Sequence, residues 1–319
     1  MFDPFGDFEV EGYLRNVQGD KDAIDIKHFE HDLFEANIDA ALAHLASCET
    51  LGYDDVLEVH RILFCDYYPW AGQDRATTLP NSAVTKGRVL FSHPQASRLA
   101  VEHGLRLGQD AEAMSKKPGE VMGLFAYGHP FLDGNGRTIL LVHMELCHRA
   151  GFSIAWQGSE KAQYLSALGN EIESPGKGIL DAYLLQFKGP RVERSEWGAD
   201  ILAIKGLDGL DDDNQIDGDL GDPAVAERYR KLEEKRGYSY QATPVTIQTS
   251  GLHHGQVVAV EPGRFGQQTG RDPKVVVWHS LDRMQGDAPK VGDSVEINYM
   301  NGIGLLKAKE QSRSRTPGR

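Results

Sequence analysis

Ten consecutive residues, His129–Thr138 (HPFLDGNGRT), bring together side chains suited to phosphate chemistry. Gly134 and Gly136 flank Asn135, and two such glycines allow dihedrals in which successive backbone N–H groups converge. Ahead of a helix, that turn makes an anion nest. Arg137 adds a planar cation that can grip phosphate oxygens in bidentate fashion. Asp133 offers a hard oxygen ligand for Mg2+, which would itself hold phosphates. His129 carries an imidazole that can take a proton near neutral pH. Pro130 follows it and restrains its backbone to an extended form. Phe131 would anchor the loop in the core. Taken singly, each is more often a turn or a packing residue. In this order they supply a base, a metal ligand, a nest and a clamp. That is the equipment for transferring a phosphate-containing group to a hydroxyl.

Such a loop needs rigid elements around it. Helical spacing of apolar residues marks His31–Ser47, Asp54–Phe64, Glu120–Tyr127, Thr138–Arg149, Ser159–Glu171 and Ile179–Phe187 as helices. Gly151 and Pro175 punctuate the fourth and fifth. From Tyr68 to Pro94 turn and strand formers dominate, predicting an exposed extended segment with a hairpin near Lys86-Gly87. Residues 207–222 hold seven aspartates and neither Lys nor Arg, which reads as a solvated linker. A calcium loop starting at Asp211 would lack its central glycine. A charged connector helix follows. Residues 246–307 turn β-branched and predict a small β-barrel or sandwich. The resulting organisation is 1–190 catalytic domain, 191–245 acidic linker and connector helix, 246–308 small β domain and 309–319 disordered tail.

Composition narrows the function. Of 319 residues, 34 are Lys or Arg and 47 are Asp or Glu, giving a net charge of −13. Nucleic-acid coating and membrane-surface binding need excess cation, so neither is expected. Three cysteines without a CxxC pair indicate neither a disulfide framework nor a thiolate zinc site. The N-terminus is acidic and lacks a secretory signal pattern, which places the protein in the cytoplasm. His143 and Cys147 read as packing residues of the motif helix. In the C-terminal segment, Phe265, Trp278 and Tyr299 read mainly as core.

The motif resembles the signature of the Fic family, H-x-F-x-(D/E)-G-N-G-R-x-x-R, at His129, Phe131, Asp133, Gly134, Asn135, Gly136 and Arg137. Tyr68-Pro69-Trp70-Ala71-Gly72 is similar to an upstream family element. Gly87-Arg88-Val89-Leu90-Phe91 sits where the family places a β-hairpin flap. The resemblance spans roughly residues 25–190 and implies a mainly α domain with that flap. It further implies that His129 deprotonates a target hydroxyl and that Asp133 binds Mg2+. Gly134, Asn135 and Gly136 would cradle nucleotide phosphates, Asn135 through its side chain as well. Arg137 would act in catalysis and in nucleotide binding. The implied reaction moves AMP from ATP to a Ser, Thr or Tyr hydroxyl of a target protein, held as a strand added to the flap. GDSVEINYMNGIG is similar to a KfrB-type module.

Two departures matter. The second arginine of the signature is replaced by Leu140. Arg75, Lys86, Arg88 or Arg149 could substitute, the donor could be a different nucleotide, or the fold could serve as a non-catalytic nucleotide-binding adaptor. In addition, no Ser or Thr is followed by Glu four residues on, so the family's inhibitory motif (S/T)-x-x-x-E-(G/N) is missing from this sequence. Either a separate antitoxin protein supplies inhibition, as in a toxin–antitoxin pair, or control works differently.

Overall fold

A computed structural model describes residues 2–204, 207, 214–236, 251–261, 263–268, 276–300 and 303–308. The chain divides into two units, Met1–Tyr240 and Gln241–Arg319. In the first, helices α1 (Ala23–Ser47) and α2 (Tyr53–Phe64) precede a hairpin of β1 (Ser82–Lys86) and β2 (Val89–Leu90). Helices α3 (Pro94–Gln109), α4 (Pro118–Gly128) and α5 (Asn135–Arg149) follow. Strand β3 (Phe152–Ile154), helices α6 (Lys161–Glu173) and α7 (Ile179–Leu184), and strand β4 (Lys188–Pro190) come next. Helix α8 (Trp197–Leu202), strand β5 (Asn214–Asp219) and helix α9 (Pro223–Arg236) close the unit.

α4 sits at the centre, buried along its whole length, and packs against α3, α5, α6 and α7. Its composition explains this: GEVMGLFAYG has no wide polar face, so it reads as an interior helix. α3 was not expected from the sequence. Its glycines obscure the helical spacing of Ala100, Val101 and Leu105, yet they serve packing. A Cβ on Gly104 would lie 2.6 Å from the Phe125 ring, so the small residue lets α3 press onto α4. α1 starts well before His31 because Asp22 caps it, accepting from the backbone N–H of Ile24 at 2.9 Å and Asp25 at 3.2 Å.

Two readings of this half are corrected. The segment from Tyr68 is not exposed: Tyr68, Trp70, Arg75 and the middle of β1 are buried. Nor is the acidic linker expected at 191–245 a solvated tether where it is described, at 191–204, 207 and 214–236. Trp197 and Ile201 of α8 belong to the main core. β5 pairs antiparallel with β1, from Ser82↔Asp219 to Lys86↔Asn214, making a sheet ordered β2-β1-β5. Val225 and Tyr229 of α9 pack on Ala83 and Leu90 of the hairpin. Asp208, Asp211, Asp212 and Asp213 of the aspartate run lie outside the described residues, as does the tail expected at 309–319.

Among the described residues, the second unit forms one six-stranded sheet. Its strands are β6 (Gly251–Glu261), β7 (Arg264–Gln268), β8 (Val276–Ser280), β9 (Met284–Gln285), β10 (Ser294–Met300) and β11 (Ile303–Ala308). The order is β8-β7-β6-β10-β11-β9, with β8 and β9 at the edges, so the described sheet is open and the expected barrel is not seen to close. Val257, Phe265, Val295, Ile297 and Tyr299 form its core. Trp278 is half-buried, with the Arg264 guanidinium 4.6 Å from its ring centre.

Candidate active site

The loop between α4 and α5 is built by its own residues. Phe131 is fully buried and stacks on the His60 ring at 3.8 Å. The Asn135 amide staples the turn: Oδ1 accepts from Phe131 N–H at 2.9 Å and Nδ2 donates to Phe131 O at 2.8 Å. Its side chain therefore holds the loop rather than standing free for phosphates. Gly134 has φ +73°, and a Cβ there would lie 2.6 Å from Phe64, so only glycine fits. Gly136 faces open space instead, leaving room for a ligand to approach the backbone. The N–H groups of Asn135, Gly136 and Arg137 stand ahead of the helix's first turn bond, Thr138 N–H to Gly134 O at 3.1 Å.

His129 departs from the extended conformation expected before proline. Its φ is +42° and ψ +60°, left-handed, and it caps the C-terminus of α4 through a bond from its N–H to Phe125 O at 3.1 Å. Arg75 enforces this. Its Nε donates to His129 O at 2.6 Å, and Nη2 donates to Ser92 O at 2.9 Å and to Gly128 O at 3.3 Å. Tertiary hydrogen bonds to a buried guanidinium override the local pre-proline preference. The His129 ring stacks face to face on Phe91, 3.7 Å away at 5°. Asn135 Nδ2 lies 3.3 Å from Nε2 and donates to it, so Nε2 is the unprotonated nitrogen and its lone pair is engaged by a long hydrogen bond. Burial lowers the pKa of this imidazole well below its ordinary value, and the nearby Arg75 and Lys86 cations lower it further. The ring is thus neutral at physiological pH.

Behind the nest lies a buried charge quartet. Lys27 Nζ is 2.6 Å from Asp133 Oδ2 and 2.9 Å from Glu30 Oε2. Arg137 Nη2 donates to Glu30 Oε2 at 2.8 Å, and its guanidinium lies over the Phe64 ring at 4.8 Å. Tyr13 Oη donates to Asp133 Oδ2 at 2.9 Å, and Tyr68 Oη donates to Glu30 Oε1. Asp133 Oδ1 accepts from Gly134 N–H at 2.7 Å. Burial alone would raise the Asp133 pKa, but Lys27 and Arg137 hold it below the usual carboxylate range. Burial likewise opposes the Arg137 and Lys27 charges, and Glu30 and Asp133 more than offset it. Arg137 Nη1, also buried, has no hydrogen-bond partner.

A cavity of about 210 Å³ opens onto this loop. His129, Asp133, Gly134, Asn135, Gly136 and Arg137 all line it, as does Phe91 of the expected flap. Gly87, Arg88, Val89 and Leu90 do not. Gly87 forms the hairpin turn at φ +56°, and Arg88 is exposed and bonded to Asn170 and Glu173. Leu140 is buried in the cavity wall with Ile139, beside Trp156, Tyr164 and Leu168 of an apolar side. Of the cations considered as substitutes for the second arginine, Lys86 lines the cavity. Arg75 lies behind His129. Arg149, at the far end of α5, bonds Glu145 and the carbonyls of Leu45, Cys48 and Glu49. Lys161 of α6 also lines the cavity.

Sequence reading missed Lys27, Glu30, Arg75 as a positioning group, and His60. His60 accepts from Gly72 N–H through Nδ1 at 3.0 Å, so Nε2 carries the proton and donates to Asp133 O at 3.0 Å. Burial pushes its pKa down to about 3. His143 and Cys147 pack as expected: His143 Nε2 donates to Pro118 O at 2.8 Å. Among the described residues, His44, Cys48 and Asp55 form the one group with donor atoms close enough for a metal, and hydrogen bonds to Asp55 account for their arrangement. No helix among the described residues is long and apolar enough to cross a membrane.

Comparison with known proteins bears on this geometry. Residues 50–147 match the Fic/DOC family, and residues 252–308 match the KfrB domain. The chain is 31% identical over 182 residues to the protein adenylyltransferase VbhT of Bartonella schoenbuchensis, covering 52% of this chain and 35% of that protein. It is 29% identical over 164 residues to the probable protein adenylyltransferase y4lH of Sinorhizobium fredii, covering 49% of this chain and 81% of that protein. The chain thus spans about a third of the length of the first relative and most of the second. The crystal structure of BepC from Bartonella tribocorum with bound AMPPNP superposes with a TM-score of 0.43 at 16% identity, covering 56% of this chain and 92% of that one. Over residues 50–147 this chain is thus similar to the Fic/DOC family and, further along the sequence, over residues 252–308 to the KfrB domain.

Proposed function

We propose that the protein is a protein adenylyltransferase that moves AMP from ATP to a Ser, Thr or Tyr hydroxyl of a target protein. The observation that carries this reading is the convergence on one cavity of a neutral imidazole, a set of helix-start N–H groups and the Arg137 side chain. The first N–H groups of a helix have no partner within it, and an anion is their natural partner. The apolar wall of Ile139, Leu140, Trp156 and Tyr164 would receive the base of the nucleotide.

In this reading the target hydroxyl displaces the weak hydrogen bond from Asn135 to His129 Nε2, and Nε2 takes the hydroxyl proton. The hydroxyl oxygen bonds to the α-phosphorus, the bond from that phosphorus to its bridging oxygen breaks, and pyrophosphate leaves. Asn135 keeps the lone pair of His129 on Nε2, and Arg75 fixes the residue's backbone. Arg137 and the N–H groups of Asn135 and Gly136 offset charge on the phosphates. Asp133 is an ionised hard-oxygen donor at the same cavity; Lys27 and Tyr13 occupy Oδ2, and Oδ1, which accepts one bond from Gly134 N–H, is the oxygen that would hold Mg2+ together with substrate phosphates. When bound there, Mg2+ would screen phosphate charge. Leu140 leaves the terminal phosphate without the signature's second arginine, with Lys86 and Lys161 as the cations on the cavity wall besides Arg137. A different nucleotide donor is the second reading, and Leu140 is what favours it.

The reading extends to a separate antitoxin partner, because the inhibitory motif is missing from the sequence, and to a cytoplasmic location. The test is incubation with labelled ATP, Mg2+ and host lysate. A labelled protein band is expected from the wild type and none from folded His129→Ala. Labelling that persists in His129→Ala overturns the assignment of the base.

A further inference from the structure

The flap is already paired. On its outer side β1 takes up β5, a strand of this same chain, in antiparallel register, with a bulge between Ala83 and Val84 where Asp217 is extra. Of the hairpin's two edges this is the one that carries an added strand among the described residues, and that strand reaches the cavity through Asn214. Further contacts fix β5 there. Asn214 is buried, lines the cavity and donates from Nδ2 to the carbonyl of Leu132, in the motif loop, at 3.1 Å. Leu220 N–H bonds to Asn81 O at 3.0 Å. α9, which starts at Pro223 just beyond the strand, lays Val225 and Tyr229 over Ala83 and Leu90, and its Arg228 pairs with Asp217.

The strand's sequence is NQIDGD: none of Asn214–Asp219 carries a hydroxyl. Of its side chains, Asn214 is the one on the cavity wall, opposite Lys86 in the register. Side chains alternate between faces along a strand, so one register position is aimed at the cavity while its neighbour is turned away.

Resting on the adenylyltransferase reading, we propose that β5 is a tethered mimic of the target strand, with Asn214 in the acceptor position, and that it must leave β1 before a target can be modified. Two consequences follow for the substrate. A target docks as a strand antiparallel to β1, and its acceptor hydroxyl belongs to the residue opposite Lys86. Occupation by β5 lowers the apparent affinity for targets by the fraction of molecules whose edge is vacant.

Ile216 is exposed and lies within β5, so Ile216→Pro weakens the strand without opening the core. A fluorescent peptide reproducing residues 214–220 is expected to bind folded Ile216→Pro about tenfold or more tightly than wild type, measured by anisotropy. Equal binding to both, or no binding to the folded variant, overturns the proposal. This arm involves no transfer, so it stands apart from the function reading. In the transfer arm, Asn214→Ser incubated with ATP is expected to gain one AMP group at position 214, by the proton and bond changes described above, and to lose it in the His129→Ala background. Modification of added targets together with an unmodified position 214 also overturns the proposal. If the peptide binds as expected and no protein is ever labelled, the docking edge stands and the adenylyltransferase reading fails.

Discussion

Replacing Lys27 by methionine is expected to cost about 3–5 kcal/mol of stability, the usual penalty for breaking a buried ion pair by removing one partner. The quartet holds two cations and two anions, and Lys27 touches both carboxylates, at 2.6 Å and 2.9 Å. Glu30 is fully buried and Asp133 nearly so, so neither can turn to water. Methionine keeps most of the stem's packing, which isolates the charge. For a unit of this size, that loss lowers the melting temperature by roughly 6–20 °C. The pH dependence gives a second signature. With Lys27 present, Asp133 is held below the usual carboxylate range, and the stability it contributes is present above about pH 4 and lost as pH falls further. Without Lys27, the upward push of burial on the Asp133 pKa loses its largest opponent, so the variant's deficit shrinks as pH falls from 8 towards 5. Glu30→Gln in the Lys27→Met background restores part of the stability, because one uncompensated charge is gone. Thermal melts of the four proteins of this cycle at pH 8 and pH 5 measure all three effects. A deficit under about 1 kcal/mol, or strictly additive substitutions, refutes the quartet as a coupled unit.

The remaining predictions concern pH and the nucleotide. Because the His129 pKa is well below its ordinary value, the base stays neutral at mildly acid pH, and the acid limb of kcat/KM is expected well below pH 6.5; a limb at 6.5 contradicts the buried, cation-flanked ring. Fully buried His60 and His143 have pKa values pushed down to about 3 and about 4, below the unfolded value, so stability is full above about pH 6.5 and falls as pH drops towards those values. At pH 5 each costs about 2 kcal/mol, visible in urea unfolding as a falling midpoint from pH 7.5 to 5. Leu140→Arg restores a cation to the cavity wall and is expected to lower KM for ATP, read from initial rates; an unchanged or raised KM with an intact fold counts against ATP lying along that wall.

The parts of the site that are local in sequence were legible, because glycine placement, the buried Phe131 and a helix start are all decided within ten residues. The quartet was not. Lys27 and Glu30, three apart on α1, look like any solvated charged pair, and only the packing of α1 against the motif helix brings them to Asp133 and Arg137. The left-handed His129 escaped for a related reason: pre-proline sterics are local, while the Arg75 bond that overrules them spans 54 residues. β5 was hidden by its composition. An Asp-rich run has poor strand propensity, and what makes it a strand is the unpaired edge of β1 beside it. Helix ends were recovered to within a few residues, except where Asp22 caps α1 early and where glycines disguise α3.

The account's central claim is transfer of the α-phosphate with its nucleoside, and parallel reactions with ATP labelled at the α- or the γ-phosphate test it most directly. Label on a target protein from α-labelled ATP alone, with pyrophosphate released in equal amount, is the predicted result. Label from γ-labelled ATP, or transfer from neither while another nucleotide donor labels the target, contradicts it.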